Sequence, residues 1–202
     1  MGGQAPGVTQ ILAADPALAE EPLGQLVIPD PALVVLIGAA GAGKTTFARR
    51  HFAADEILSS DALRAIVSDD EADQSATRVA FAILHRELGR RLAARRLTVV
   101  DATNLAAFAR QRLLGAARSA DVPAVAVVLD LPDEVVIARN AGRVGRFVPE
   151  SVVHRHLAAL RGSMTAGTLA IDGFAAVHWI RSAEQLDALT VGVAGRQVRP
   201  KP

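Results

Sequence analysis

Leu33-Val-Val-Leu-Ile37, five consecutive strand-prone apolar residues, run without a break into Gly38-Ala39-Ala40-Gly41-Ala42-Gly43-Lys44-Thr45-Thr46. A short apolar run of this kind suits a strand buried on both faces of a parallel sheet. The pattern after it, Thr46-Phe-Ala-Arg-Arg-His-Phe52, is helical. Strand, glycine-rich turn and helix start in that order are the context of the P-loop, and Gly38, four residues, Gly43-Lys44-Thr45 is its spacing. The glycines let the backbone turn tightly and bring its N–H groups up to phosphate oxygens. The helix start directs its positive dipole end at the same oxygens. Candidate nucleotide contacts are therefore Gly38, Ala39, Ala40, Gly41, Ala42, Gly43, Lys44, Thr45 and Thr46. Lys44 is expected to reach the β- and γ-phosphates of ATP, and Thr45 to hold Mg²⁺. Of the 22 lysines and arginines only Lys44 and Lys201 are lysine, so the compact ammonium stands where a point charge is wanted. The competing reading is a plain strand-turn-helix whose glycines serve only the turn.

The 202 residues suit one domain, and half of them are apolar, enough for a core. No cysteine is present, so disulfides and thiolate metal sites are excluded. The apolar runs are strand length, far short of a membrane span. No basic segment leads into a continuous apolar stretch near Met1, so no secretory signal is read and a cytoplasmic location is expected. A net charge of +1 argues neither for nor against a nucleic-acid partner. Six Phe, one Trp and no Tyr argue against a base-stacking platform.

Strand and helix patterns alternate along the chain, which predicts an α/β fold: a P-loop kinase-like parallel sheet of about five strands with helices on both faces and an arginine-bearing lid. Residues 1–24 are expected to form a mobile arm, with a short helix at Pro16–Glu21. The domain is expected over 25–190, its lid near 139–161, and a loose tail over 191–202. Gln25–Ile28 reads as a short strand in a hairpin with the P-loop strand. Glu56–Asp61 reads as the next strand, with Ser60 or Asp61 available to cap the helix after it. Asp69–Asp73 is an acidic loop. A long helix, roughly Ser75–Arg96, has Val79, Phe81, Ile83, Leu84, Leu88 and Leu92 as its apolar positions. Further strands are expected at Leu97–Asp101, Val122–Leu129 and Ala176–Ile180, and helices at Ala106–Ala120, Asp133–Arg139, Pro149–Arg161 and Ala183–Leu189. Right-handed crossovers bring the C-terminal strand ends to one edge, so the P-loop, Ser60-Asp61 and Asp101 are expected to face one cleft.

Phosphoryl transfer needs a phosphate cradle, a metal, a group that orients the acceptor hydroxyl, and cations for the transferring oxygens. Asp61 at a strand end is the candidate base, with a helix cap as the alternative. Arg64, one turn on, can grip a substrate phosphate as a fork, or belong to a solvated helix face. Asp101 ends an apolar strand and suits Mg²⁺. Asp130 competes for that role, but Leu131-Pro132 after it suits a turn, whereas polar Thr103-Asn104 follow Asp101. Arg139, Arg143 and Arg146, with Gly142 and Gly145 among them, suit a lid that brings positive charge to the γ-phosphate, or are ordinary surface arginines. Arg110 is among the arginines expected to meet phosphates of a longer acceptor. His154 and His156 lie two apart on a helix and make no metal pair, and no histidine is assigned a role.

Gly-Ala-Ala-Gly-Ala-Gly-Lys-Thr-Thr-Phe-Ala, Ser59-Ser60-Asp61-Ala-Leu-Arg64, Val99-Val100-Asp101-Ala-Thr103-Asn104 with Arg110 downstream, and Arg139-Asn140 with Arg143 together resemble a known family. It is the kinase module of the bacterial polynucleotide kinase-phosphatases of RNA repair, and more distantly the phage 5′-kinase. The resemblance covers about Leu26 to Leu189. It implies ATP- and Mg²⁺-dependent phosphorylation of a polynucleotide 5′-hydroxyl end. By motif, Asp61 resembles the general base, Arg64 the arginine on the phosphate next to the acceptor, Arg139 and Arg143 the lid arginines, and Lys44 and Thr45 the ligands of ATP and Mg²⁺. Asn104 and Arg110 fall with the substrate-binding motif. Bacterial members also carry phosphatase and ligase-like modules, and only the kinase module is read here. The P-loop also departs from the family in Thr45-Thr46 and its Ala-rich loop, where Ser is common. The other readings are a small-molecule or nucleoside kinase on the same scaffold, and an ATP-binding regulatory or toxin-like protein. The Asp61/Arg64 pair speaks against the last, because a switch needs neither a hydroxyl-activating carboxylate nor an acceptor clamp.

Overall fold

A computed structural model describes residues 24–67, 74–143, 148–167, 169 and 172–195. Residues 1–23 of the expected arm, with the short helix expected at Pro16–Glu21, the acidic loop Asp69–Asp73 and Arg146 lie outside the described residues.

The chain runs β1 (Gln25–Ile28), β2 (Leu33–Gly38), α1 (Lys44–His51), a 3₁₀ turn at Ala54–Glu56, β3 (Ile57–Ser59), α2 (Ser60–Val67) and α3 (Gln74–Ala93). It continues through β4 (Thr98–Asp101), α4 (Ala107–Ser119), β5 (Ala124–Leu129), α5 (Asp133–Ala141), α6 (Glu150–Thr165), β6 (Ala176–Ile180), α7 (Ala183–Ala188) and β7 (Thr190–Val193). Five strands form one parallel sheet in the order β3-β4-β2-β5-β6. This is the expected α/β architecture. The strand order reverses at β2, which makes its C-terminal end the switch point where such sheets hold ligands.

The side-chain period of two explains how β2 supports both layers. Val34 and Leu36 pack with Phe47 and Ala48 of α1, Val136 of α5, Val153 and Leu157 of α6 and Leu186 of α7. Leu33, Val35 and Ile37 pack on the other face with Leu84, Leu88 and Leu92 of α3 and Leu113, Leu114 and Ala117 of α4. Each of the Val, Leu, Ile and Phe side chains among these contributes roughly 1.5–3 kcal/mol of burial. In α3 the buried stripe is Ala80, Leu84, Leu88 and Leu92, at intervals of four, whereas Val79 is 48% exposed. Val79 is thus corrected from core to surface, because a stripe of that period carries position 79 off the sheet.

Two expectations at the chain ends are also overturned. β1 does not form a hairpin with β2. It pairs in parallel with β7, Gln25 against Thr190 through Ile28 against Val193, as a separate two-stranded sheet. The burial alternation of β1 explains this. Leu26 and Ile28 are buried while Gln25 and Val27 are exposed, so the strand has one apolar face, unlike the two-sided strands of the main sheet. That face joins the first core cluster beside Leu186 and Leu189. Thr190–Val193 is accordingly a strand, where the sequence predicted a tail from 191.

Candidate active site

The phosphate loop connects β2 to α1. Gly41 has φ +90°, and a Cβ there would stand 2.6 Å from the Val136 carbonyl oxygen, so both conformation and space exclude a side chain. Gly43, at φ +97°, is the N-cap of α1 and offers no capping side chain, which leaves the first N–H groups of the helix to face the cleft. Lys44 is buried, and its Nζ donates to the carbonyls of Gly38 at 2.9 Å and Ala39 at 2.7 Å. The ammonium is thereby curled over the loop.

Thr45 Oγ1 donates to Asp101 Oδ2 at 2.7 Å, which joins the first turn of α1 to the end of β4. The pair presents a hydroxyl and a carboxylate, hard oxygen donors of the type Mg²⁺ takes. Asp101 is 3% exposed and lines the cleft, whereas Asp130, at the end of β5, is absent from the described lining residues. Burial raises the carboxyl pKa of Asp130.

β3 ends earlier than expected, at Ser59, so Ser60 and Asp61 lie in the first turn of α2. Ser59 Oγ accepts the Ala62 N–H at 3.4 Å, while Asp61 Oδ1 accepts from Arg64 Nη2. The sequence missed Ser59 because Ser59 and Ser60 are adjacent and either suits a cap. Both Asp61 and Arg64 line the same cleft as the P-loop. Arg139 and Arg143 line it too, and Nη1 of Arg139 lies 3.6 Å from the point where a Gly43 Cβ would stand. Asn140 Nδ2 donates to the Val148 carbonyl at 2.7 Å and so ties the end of α5 to the start of α6.

Two residues expected to meet substrate face inward. Asn104, at φ +50°, donates through Nδ2 to the carbonyls of Leu36 at 2.8 Å and Ala102 at 3.4 Å. The β2–β4 ladder stops at Val35 and Val100, and the Asn104 amide supplies the partner that Leu36 would otherwise lack. Asn is one of the few residues that adopts this left-handed conformation readily. Arg110 is fully buried. It pairs through Nε with Asp172 and donates through Nη1 to the carbonyls of Leu105 at 2.6 Å and Asn104 at 3.2 Å. The substrate-binding expectation for both is corrected. They brace the loop after Asp101, which also holds Gly38 through Gly38 N–H to Thr103 carbonyl at 3.1 Å. Spacing could not distinguish a clamp on phosphate from a clamp on backbone carbonyls.

The sequence assigned nothing to His156 of α6. Its Nδ1 accepts the Ala40 N–H at 3.4 Å, and its ring lines the cleft. A histidine among polar helix residues gives no signal of this kind, because only the packing of α6 brings it to the loop. The whole cleft measures about 1160 Å³. That exceeds the few hundred to about 1,000 Å³ typical of a single small ligand and leaves room for a nucleotide beside an acceptor.

Fold and cleft together define a P-loop kinase-like domain. The chain belongs to the AAA domain family, whose model matches residues 33–166. No curated protein matches the sequence. Among solved structures, a chain of the Pnkp1/Rnl/Hen1 RNA repair complex is similar at TM-score 0.58 and 23% identity, over 67% of this chain and 46% of that one. The present chain thus spans about half the length of that relative. Chaetomium thermophilum Kti12 in complex with ADP-AlF3 is similar at TM-score 0.55 and 18% identity, over 77% and 93% of the two chains. A gluconokinase from Sinorhizobium meliloti is similar at TM-score 0.50 and 20% identity, over 79% and 87%. Among the described residues no helix is long and apolar enough to cross a membrane.

Proposed function

We propose that this protein transfers the γ-phosphoryl group of ATP to a hydroxyl acceptor, and that the acceptor is the 5′-hydroxyl end of a polynucleotide. The observation that carries this reading is the Asp61–Arg64 pair on α2, which lines one cleft together with Lys44 and Thr45. A carboxylate next to a guanidinium at a phosphate site is what a hydroxyl flanked by a phosphate requires.

In this mechanism the P-loop N–H groups and Lys44 hold the triphosphate. Thr45 and Asp101 would hold Mg²⁺, which would supply positive charge to the phosphates. Arg64 engages the phosphate beside the acceptor hydroxyl. Asp61 accepts the hydroxyl proton as the acceptor oxygen bonds to the γ-phosphorus, and the bond from that phosphorus to the ADP oxygen breaks. Arg139 and Arg143 supply positive charge to the equatorial oxygens. Lys44 leaves the Gly38 and Ala39 carbonyls to follow the phosphates.

A small-molecule acceptor on the same scaffold is the second reading. It is favoured by the fuller coverage of the gluconokinase-like structure, 87% of that chain against 46% of the RNA repair chain. Acceptor kinetics separate the two. The substrates are a 5′-hydroxyl oligonucleotide, a nucleoside 3′-monophosphate, a bare nucleoside and sugars such as gluconate, each across a salt series. A polynucleotide acceptor gives affinity that falls with salt at about −0.7 per phosphate neutralised, with a footprint of roughly one to three phosphates. Arg64→Ala then raises KM and flattens the slope by about one contact. A sugar or bare nucleoside as best acceptor refutes the polynucleotide reading.

A further inference from the structure

His156 stands on the second turn of α6 and contacts the P-loop directly, Ala40 N–H donating to its Nδ1 at 3.4 Å. An amide only donates, so Nδ1 carries no proton in this arrangement and a neutral ring has its hydrogen on Nε2. Ala40 lies inside the stretch read as phosphate-binding and lines the cleft, so its N–H is a candidate donor to a polyphosphate oxygen. One N–H cannot serve a phosphate oxygen and an imidazole nitrogen at full strength.

We propose that His156 is a phosphate-contacting residue whose proton binding is coupled to nucleotide binding: a phosphoryl oxygen takes the Ala40 N–H, and Nδ1, left without its donor, takes a proton from solvent and faces the phosphate as an imidazolium. This rests on the nucleotide-binding reading of the P-loop and adds a residue to that site.

The surroundings of the ring support the exchange. Burial first, then the positive charges of Lys44 and Arg155, hold the imidazole below the ordinary histidine pKa. The lid side of the same cleft adds Arg139 and Arg143, also cationic. Elsewhere on the cleft Asp61 is paired with Arg64, Asp101 accepts from Thr45, and Asp187 pairs with Arg50. A polyphosphate brings several negative charges among these cations, which reverses the field at the ring and favours the imidazolium. A proton bound more tightly in the complex than in the protein alone strengthens nucleotide binding as pH falls. Affinity rises by at most about tenfold per pH unit of acidification between the two imidazole pKa values, and the slope levels off outside them.

The alternative is a tether that only packs α6 on the loop. His156→Gln separates the two, since its amide oxygen can accept the Ala40 N–H but takes no proton. The probes are inorganic tripolyphosphate and a non-hydrolysable ATP analogue, each with Mg²⁺, added to the full chain. Imidazole resonances are followed through the histidine titration range, with His156→Gln identifying one of the five histidines. Calorimetry in buffers of different ionisation enthalpy counts protons taken up per ligand, and the difference from His156→Gln cancels the ionisation of the phosphates themselves. The proposal expects the His156 pKa to rise on binding, and wild type to take up more protons than the variant, by at most one. If both probes bind while the His156 pKa and proton count stay unchanged, this proposal fails and the nucleotide site stands. If neither probe binds, the nucleotide-binding reading fails and takes this proposal with it.

Discussion

Replacing Asp172 with alanine leaves the guanidinium of Arg110 charged and fully enclosed, and the cost can be worked from its contacts. In the protein Arg110 Nε meets Asp172, while Nη1 keeps the carbonyls of Asn104 and Leu105. Asp172 Oδ1 also accepts from Gln111 Nε2 at 3.3 Å. Asp172→Ala removes the carboxylate paired with this arginine, which is 0% exposed. Breaking such a buried pair from one side costs about 3–5 kcal/mol. For a domain of this size, about 2–4 °C per kcal/mol converts that to a drop in Tm of roughly 6–20 °C. The double replacement Arg110→Met with Asp172→Leu removes both charges and is expected to recover most of the loss, because a well-packed apolar pair replaces a desolvated one. Urea unfolding followed by circular dichroism measures all three proteins. The same reasoning makes Arg110 a positioning residue for the loop after Asp101, so Arg110→Met alters stability and leaves the salt slope of acceptor binding unchanged. An Asp172→Ala loss below about 1 kcal/mol, or an Arg110→Met protein of normal stability with a flattened salt slope, refutes the argument and returns Arg110 to the acceptor.

Lys44→Ala is expected to lower single-turnover transfer by about 10²–10³-fold, the scale for removing one preorganised charge-stabilising group; wild-type rates in the variant exclude the P-loop from the mechanism. Asp61→Asn is expected to keep the fold and MgATP affinity while losing most of kcat, since an amide accepts no proton. Loss of ATP affinity with unchanged chemistry would instead assign Asp61 to the nucleotide side. Gly41→Ala forces a side chain into a positive-φ position and against the Val136 carbonyl, at a cost of about 1–3 kcal/mol. Nucleotide binding should weaken with it, and a variant of wild-type Tm and Kd refutes the cradle geometry.

Local patterns in the chain carry much of this protein. The apolar run at Leu33, the glycine spacing and Lys44 predict the buried strand, the loop and the helix, because each depends on neighbours a few residues away. The parallel sheet follows as well, since strand-helix alternation leaves few topologies open. Tertiary structure alone decided the rest. Arg110 and Asn104 carry the same side chains whether they grip a phosphate or a backbone carbonyl, and only the depth at which α4 and the loop before it pack shows which they meet. β1 finds its partner 165 residues away in β7, Gln25 against Thr190, a pairing no local pattern records. His156 reaches Ala40 across 116 residues for the same reason. Composition and period report how a residue's neighbours in sequence behave, whereas burial and pairing depend on contacts that form only when distant segments close on one another.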